Sequence, residues 1–550
     1  MSPKLFKLIR ENNISKEQII KDVVAGIIVA IIALPLSIAL GISSGVSPEK
    51  GLITAIVGGF IISLLGGSRV QIGGPTGAFV VIVYGIIQGY GINGLIIATL
   101  MAGIILILMG ILKLGSVIKY VPTTITVGFT SGIAITLLST QIKDLFGLNI
   151  ANVPADFIPK WKVYFSNMNT INLPTLIVGL SCIFIIVIWP KINKTIPGSL
   201  VALIMATLVV NVFNLPVETI GSRFQNISST IPIPHLVSID LSTIKDLFKP
   251  ALTIAILAAV ESLLSAVVAD GMCGSKHDSN MELVAQGVAN VGSALFGGIP
   301  VTGAIARTAA NIKSGGRTPI SGIIHAIILF LIMLLFMPFA KLIPMTTLAA
   351  ILVVVSYNMS GWRSFKALLK APKSDVMVLL LTFFLTVIFD LVMAIEIGMI
   401  VAMFLFMKKI ADTTRIRDLA NEDVLDENLS EMLDNANDKI LVYQVNGPLF
   451  FGIVQNFMNV MDEVKPSAEV LILDMRHAHS IDASAIEALN TLLERCQKYN
   501  IKLILTHVNK YPMKILKNMN FIDKLGKRYI YETKTQAINA SYKYITELGM

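Results

Sequence analysis

Residues 73–79 read GGPTGAF and residues 301–311 read VTGAIARTAAN. Each opens a stretch, 74–88 and 302–313, that is too short and too glycine-rich to cross a bilayer alone, since a membrane helix needs about 20 mostly apolar residues. PTGA at 75–78 returns as VTGA at 301–304, an offset of 226 (302 − 76). The same offset carries Pro35 onto Glu261, and VPTT at 121–124 resembles IPMTT at 343–347 at an offset of 222 (344 − 122). Broken segments at matching places in two halves predict an internal repeat whose ligand site lies where they meet.

Working outward, glycine, proline and charge punctuate long apolar runs. Full spans are predicted at 23–43, 50–66, 92–112, 122–140, 172–190, 197–214, 250–270, 281–297, 319–338, 344–359, 374–389 and 391–409. With the two half-length helices this makes fourteen membrane segments, seven in each half, and an odd number inverts the second copy in the bilayer. With the N-terminus inside, alternation gathers most short-loop lysines and arginines on the inner side, among them Lys4, Lys7, Arg10, Arg69, Lys113, Lys191, Arg317, Arg363 and Lys373. That is the bias expected of cytoplasmic loops. It predicts a multi-pass protein of the cell's inner membrane with both ends in the cytosol.

Of the 550 residues 54% are hydrophobic and 14% charged, against roughly 25% charge in soluble domains. The mean hydropathy is +0.75. A net charge of +9 is accounted for by the loop lysines and arginines and does not call for nucleic acid. Cys182, Cys273 and Cys496 are too scattered for a disulfide framework or a structural zinc site. His477 and His479 share a loop without partners at ligand spacing, so no metal and no cofactor are expected. The polar start MSPKLFKLIRENNISKEQIIKD does not read as a removable signal peptide.

A helix that begins in mid-membrane leaves its first N–H groups without partners and points its positive end at the site. Two such starts, Thr76-Gly77-Ala78 and Thr302-Gly303-Ala304, predict a compact anion site, with Thr76 and Thr302 able to cap or donate. The plainer reading is that these glycines serve close helix packing. Glu261 is the one carboxylate between Pro250 and Asp270, in ALTIAILAAVESLLSAVVAD, and an intramembrane carboxylate is a functional candidate by default. It is read as carrying a proton, with Ser262 and Ser265 in support; the competing reading makes it a structural partner of Arg307. Arg307, one turn past the second half-helix start, would attract anions. Asp390 and Glu396 are weaker candidates, and His325 reads as a packed, hydrogen-bonded core histidine.

Charge becomes dense after Ile410. The domains are therefore read as 1–411 in the membrane, 412–437 a charged, partly helical linker and 438–550 a soluble domain. In the last, ILVYQVNGPLFFG reads as two strands around a turn, followed by a helix, the strand VLILDM, the helix SAIEALNTLLERCQKYN and the strand IKLILTHV. Strands alternating with helices predict a small α/β domain. It carries no phosphate loop or nucleophile elbow, so no enzyme is expected.

With these pieces in place the chain resembles the SulP anion-permease family over nearly its whole length. The most specific stretch runs from VESLLSAVVADGMCGSKHDSN to GGRTPISG, together with GGSR at 66–69 and GGPTGA at 73–78. The tail is similar to a STAS domain. The resemblance implies an all-α membrane domain of seven-plus-seven inverted segments, a uracil-transporter-like core and gate, a homodimer and a cytosolic α/β STAS domain. It implies substrate between the third and tenth segments, the acidic residue of the eighth on Glu261 and the arginine of the tenth on Arg307. In proton-coupled relatives that acidic residue is glutamate; in a sodium–bicarbonate carrier it is aspartate. Two departures stand out. Leu36 and Ser37 follow Pro35 where many sulfate carriers have glutamine. In SIDASA, Ala483 stands where phosphorylated relatives have serine.

The expected function is secondary active transport of a small anion of the sulfate, bicarbonate or C4-dicarboxylate class, elevator-type and coupled to protons. An exchanger or a sodium-coupled bicarbonate carrier, an anion sensor signalling through the STAS domain to a cytosolic partner, and a passive channel remain open alternatives.

Overall fold

The computed structural model describes residues 2–12, 14–193, 196–224, 227–230, 232–234, 241–389, 391–413, 415–418, 427–437, 439–450 and 468–548. The chain forms two compact units, Met1–Ile400 and Val401–Met550.

The first unit is helical. Helix α1 spans Lys16–Ser43, and α2 spans Pro48–Leu65 with a π-helical turn at Thr54–Gly58. One continuous run, Gly77–Ile111, is broken at Gly91, whose φ of +68° suits glycine. The break leaves α3 at 77–90 and α4 at 92–111; at 1.5 Å per residue α3 reaches about 21 Å, short of a bilayer's roughly 30 Å core. The remaining helices are α5 (Thr123–Thr140), α6 (Leu173–Ile192), α7 (Gly198–Val212), α8 (Leu241–Cys273), α9 (Ser279–Leu295), α10 (Ile305–Lys313), α11 (Ile320–Ala340), α12 (Met345–Met359), α13 (Lys373–Ile388) and α14 (Leu391–Thr413). Among the described residues eight helical stretches are long and apolar enough to cross a membrane. Of the expected full spans, α9 and α13 have the lengths expected, 17 and 16 residues, whereas α7, at 15 residues, is shorter. Along α9, Glu282, Gln286, Asn290 and Ser293 form a polar, wholly buried stripe.

Helix α1 starts seven residues ahead of its expected apolar edge, because the hydroxyl of Ser15 accepts from the Gln18 amide and caps the polar turn. Helices α4 and α9 meet almost backbone to backbone. A Cβ on Gly103 would lie 2.7 Å from the Gly287 carbonyl oxygen, the close approach that small residues permit between membrane helices. The apolar packing falls into separate clusters. Helices α3, α4 and α8 share one with part of α5, and α6, α7 and α12 share another around Cys182, Ala202 and Ala349, while a third joins Val80 of α3 to Leu348 and Leu352 of α12 along with α1, α2 and α11.

The two half-helices are joined at their starts. Gly73–Gly74 (β1) pairs antiparallel with Thr302–Gly303 (β2), Gly73 opposite Gly303 and Gly74 opposite Thr302. Subtracting the repeat offset of 226 turns Gly303 into 77 and Thr302 into 76. The pairs are then 73 with 77 and 74 with 76, which is what a two-fold relation passing by Pro75 and Val301 requires.

The second unit carries a five-stranded sheet ordered β3-β4-β5-β6-β7, from Arg415–Asp418, Ile440–Asn446, Val470–His477, Lys502–Thr506 and Ile530–Tyr531. Only β3 runs antiparallel. The central strands are apolar on both faces, as a doubly covered parallel sheet demands. One face packs Ile486, Leu489 and Leu492 of α16 (Ala483–Lys498), while Leu429 and Leu433 of α15 (Glu427–Asn435) and Ala537 and Ile538 of α17 (Lys534–Leu548) cover the other. The stretch expected as a linker thus supplies strand β3 and helix α15, and its residues 419–426 lie outside those described. The second strand expected after Gly447 reduces to a single bridge between Leu449 and Ile481. The helix expected next falls at 451–467, also outside the described residues.

Candidate functional site

The site is built where β1 and β2 cross and the two half-helices begin. Thr76 is the N-cap of α3 and Ala304 of α10, and neither side chain makes a capping bond. The first-turn amides of both helices therefore keep the partial positive charge of an uncapped start. The Thr76 hydroxyl Oγ1 instead donates to Glu261 Oε2 at 2.9 Å. Thr302 lies in β2, two residues ahead of its cap, and is buried with Oγ1 donating to the Ala258 carbonyl at 3.0 Å. The two threonines, equivalent in the repeat, thus have different roles.

Arg307 is 1% exposed. Its Nη2 donates to the Pro75 carbonyl at 2.9 Å, and its guanidinium lies so close under Gly74 that a Cβ there would overlap Nη1. Nε and Nη1 have no protein acceptor. Among the described residues no ion pair joins Arg307 to Glu261, so the pairing weighed from the sequence is absent from this arrangement. A buried guanidinium with two idle donors, flanked by two uncapped helix starts, is an unbalanced positive centre. An anion would complete it.

The supporting residues divide. Ser262 is buried with Oγ unpartnered, and its carbonyl accepts from Gln71 Nε2 at 3.2 Å. Ser265 Oγ donates to Thr308 Oγ1 at 3.3 Å, and Thr308 Oγ1 also accepts from the Ile72 amide at 3.1 Å. Pro35 and Ser37 are buried in α1, but no hydrogen bond among the described residues joins Ser37 to the half-helix starts. Gly77 faces Leu137 of α5 and Met359 of α12, whereas a Cβ on Gly303 would overlap the Gln71 amide. His325 is buried, yet neither ring nitrogen meets a protein partner, so packing alone holds it. Glu396 is exposed, and Asp390 lies outside the described residues.

Three residues that hold the site in place were not singled out from the sequence. Glu282 Oε2 accepts from the Gly67 and Ser68 amides at 2.8 and 3.0 Å, and Oε1 from Gln286 at 2.8 Å. Asp22 ties α1 to the turn before α11 through the Arg317 amide at 2.8 Å and the Thr318 hydroxyl at 2.5 Å. Gln71 wedges between the crossing and α8. A carboxylate within the expected span 281–297 was the available signal for Glu282.

The comparisons with known proteins agree with this architecture. The sequence profile of the Sulfate permease family matches residues 19–382, and that of the STAS domain matches 432–537. The Bacillus subtilis protein YvdB, a provisionally named sulfate transporter, is 39% identical over 94% of this chain and 97% of its own length. The bicarbonate transporter BicA of Picosynechococcus is 30% identical, covering 88% of each chain. A solved structure of SLC26A9 superposes with a TM-score of 0.85 over 97% of this chain and 91% of that one. At 18% identity this last likeness speaks for the fold alone.

Proposed function

The chain belongs to the sulfate permease family, as an anion transporter with a C-terminal STAS domain, and on that premise we propose that it is a proton-coupled secondary carrier of a small oxyanion or carboxylate. The observation that carries this reading is the Arg307 guanidinium, buried with two idle donors between the starts of two half-helices. The anion sits at that crossing, held by the amides at 76–78 and 305 onward and by Arg307, the Ala304 amide being taken by the Ile72 carbonyl at 2.9 Å. Glu261, bonded to Thr76 at the same place, is positioned to exchange a proton as the anion arrives or leaves. No bond to the anion is made or broken, so the protein is a carrier and not an enzyme.

The largely distinct packing of α3, α4 and α8 and of α6, α7 and α12, which meet where Val80 packs with Leu348 and Leu352, supports an elevator in which the first group moves as a core against the second as a gate. The STAS domain is cytosolic, with the N-terminus on the same side of the inner membrane. It stabilises a homodimer and offers a surface to a cytosolic partner. Bicarbonate driven by sodium is a second reading, favoured by Leu36 and Ser37 after Pro35 and by the likeness to BicA. Uptake of labelled sulfate, bicarbonate and succinate into proteoliposomes, under imposed proton and sodium gradients, decides between them. Accumulation driven by protons supports the first reading. Accumulation driven by sodium supports the second, and no uptake of any of the three overturns both.

A further inference from the structure

A cavity of about 310 Å³ opens beside α3 and is lined at one end by Ala78, at the half-helix start, and at the other by Tyr90. Twelve residues separate the two, or about 18 Å along the helix. Its far end is closed by the helix Phe157–Ser166, which belongs to the long connection between α5 and α6. That connection is tied to α3 by the Tyr84 hydroxyl, which donates to the Val153 carbonyl at 2.9 Å. Most of the wall is apolar, from α3, α5 and α13, but Asp156, Lys160 and Lys249 also line it.

Lys160 is the unexplained group. It is 4% exposed, and among the described residues its ammonium has no hydrogen-bond or ion-pair partner. Asp156 attracts it without closing a pair. Its ammonium opens onto the cavity, so the acceptor that a charge on so largely buried a side chain needs must come from what fills that space. Burial does bring its pKa down to about 8, so near neutral pH it still carries its charge for most of the time.

Resting on the anion-carrying reading above, we propose that Lys160 makes the far end of this cavity a second anion site. There a small oxyanion or carboxylate is captured before it moves along α3 to the crossing at Thr76. The apolar wall strengthens the attraction by excluding water, and Lys249 adds to the local potential. The anion supplies the acceptor that Lys160 lacks. Because the site is for capture, its loss weakens apparent affinity and leaves the turnover of the loaded carrier alone.

The test is sulfate, bicarbonate and succinate uptake by the full chain in proteoliposomes, comparing wild type with Lys160→Gln and Lys160→Arg. Losing one charge-assisted hydrogen bond predicts a KM raised about ten- to hundredfold in the glutamine variant, with kcat unchanged. The arginine variant should recover most of the affinity. A second readout uses sulfate, which keeps its two charges from pH 7 to 9. Wild-type KM should climb more steeply as pH passes about 8 and Lys160 loses its proton than that of Lys160→Arg, which keeps only the pH dependence of proton coupling. The other ionisable groups on the cavity wall are Tyr90, Asp156 and Lys249. Helix α5 brings none, and those of α13, Lys373 and Asp375, stand at its other end. An unchanged KM in Lys160→Gln overturns the proposal while the anion-carrying reading stands. Loss of kcat alone, shared by the arginine variant, makes Lys160 structural and overturns it too. Absence of uptake by wild type overturns both readings.

Discussion

The hydroxyl of Thr76, at the start of the first half-helix, donates to Oε2 of Glu261 in α8 across 2.9 Å. This bond links the residue positioned to bind an anion to the residue positioned to bind a proton. Glu261→Gln keeps an acceptor for Thr76 and holds the position neutral. Anion binding and exchange should survive, while accumulation under an inward proton gradient disappears. Thr76→Val removes the donor, worth about 0.5–1.5 kcal/mol, and should weaken coupling more mildly. Uptake with and without the gradient measures both. Wild-type accumulation by Glu261→Gln would leave the carboxylate a structural partner of Thr76.

Arg307 holds the Pro75 carbonyl with one nitrogen and leaves two donors for the anion. Lysine keeps the charge but not the planar fork. Arg307→Lys should therefore lose about tenfold or more in anion affinity, as expected for a charge-assisted hydrogen bond of about 1.5–3 kcal/mol. Arg307→Gln should lose more. Sulfate or bicarbonate binding to the purified protein reports the effect, and equal affinities in all three proteins would move the anion away from the guanidinium.

The two glycines equivalent in the repeat should differ. At Gly303 an added Cβ would overlap the amide of Gln71, whose Nε2 is committed to the Ser262 carbonyl. At Gly77 it would meet only the tip of Leu137, at 2.6 Å, and Met359. Gly303→Ala should lower thermal stability in detergent, by about 1–3 kcal/mol, whereas Gly77→Ala should keep stability and impair transport. Equal melting temperatures for Gly303→Ala and wild type would contradict the wedge role of Gln71.

Burial pushes the Cys496 thiol up to about 12, above the ordinary range near 8.5. The thiolate, the reactive form, is lost as pH falls below that value; at pH 8 it is about one part in ten thousand. Cys496 and the buried Cys182 should resist maleimide in the folded protein, and Cys273, which is partly exposed, should label first. Mass spectrometry of labelled peptides, native and denatured, checks the order. Rapid native labelling of Cys496 would show that the STAS core opens.

Much of this molecule could be read directly from its residues. The two half-helices announce themselves because a bilayer demands length, and GGPTGAF and VTGAIARTAAN interrupt it at places 226 apart. Strands β4, β5 and β6 were legible because apolar β-runs between helical patterns have few other uses. What the chain could not disclose is where side chains go once the two halves cross. Thr76 and Thr302 share a sequence context, yet one faces Glu261 and the other Ala258, since their helices start two positions apart in the repeat. Arg307 and Glu261 looked like partners by charge, but the crossing of β1 and β2 carries the guanidinium to Pro75 instead. Lys160 is one lysine in a loop by sequence; only the packing of its helix against α5 and α13 buries it in a cavity. Local pattern decides which segments form, because length, hydropathy and backbone freedom are properties of neighbouring residues. The pairing of distant polar groups depends on how those segments cross, and that belongs to the tertiary structure.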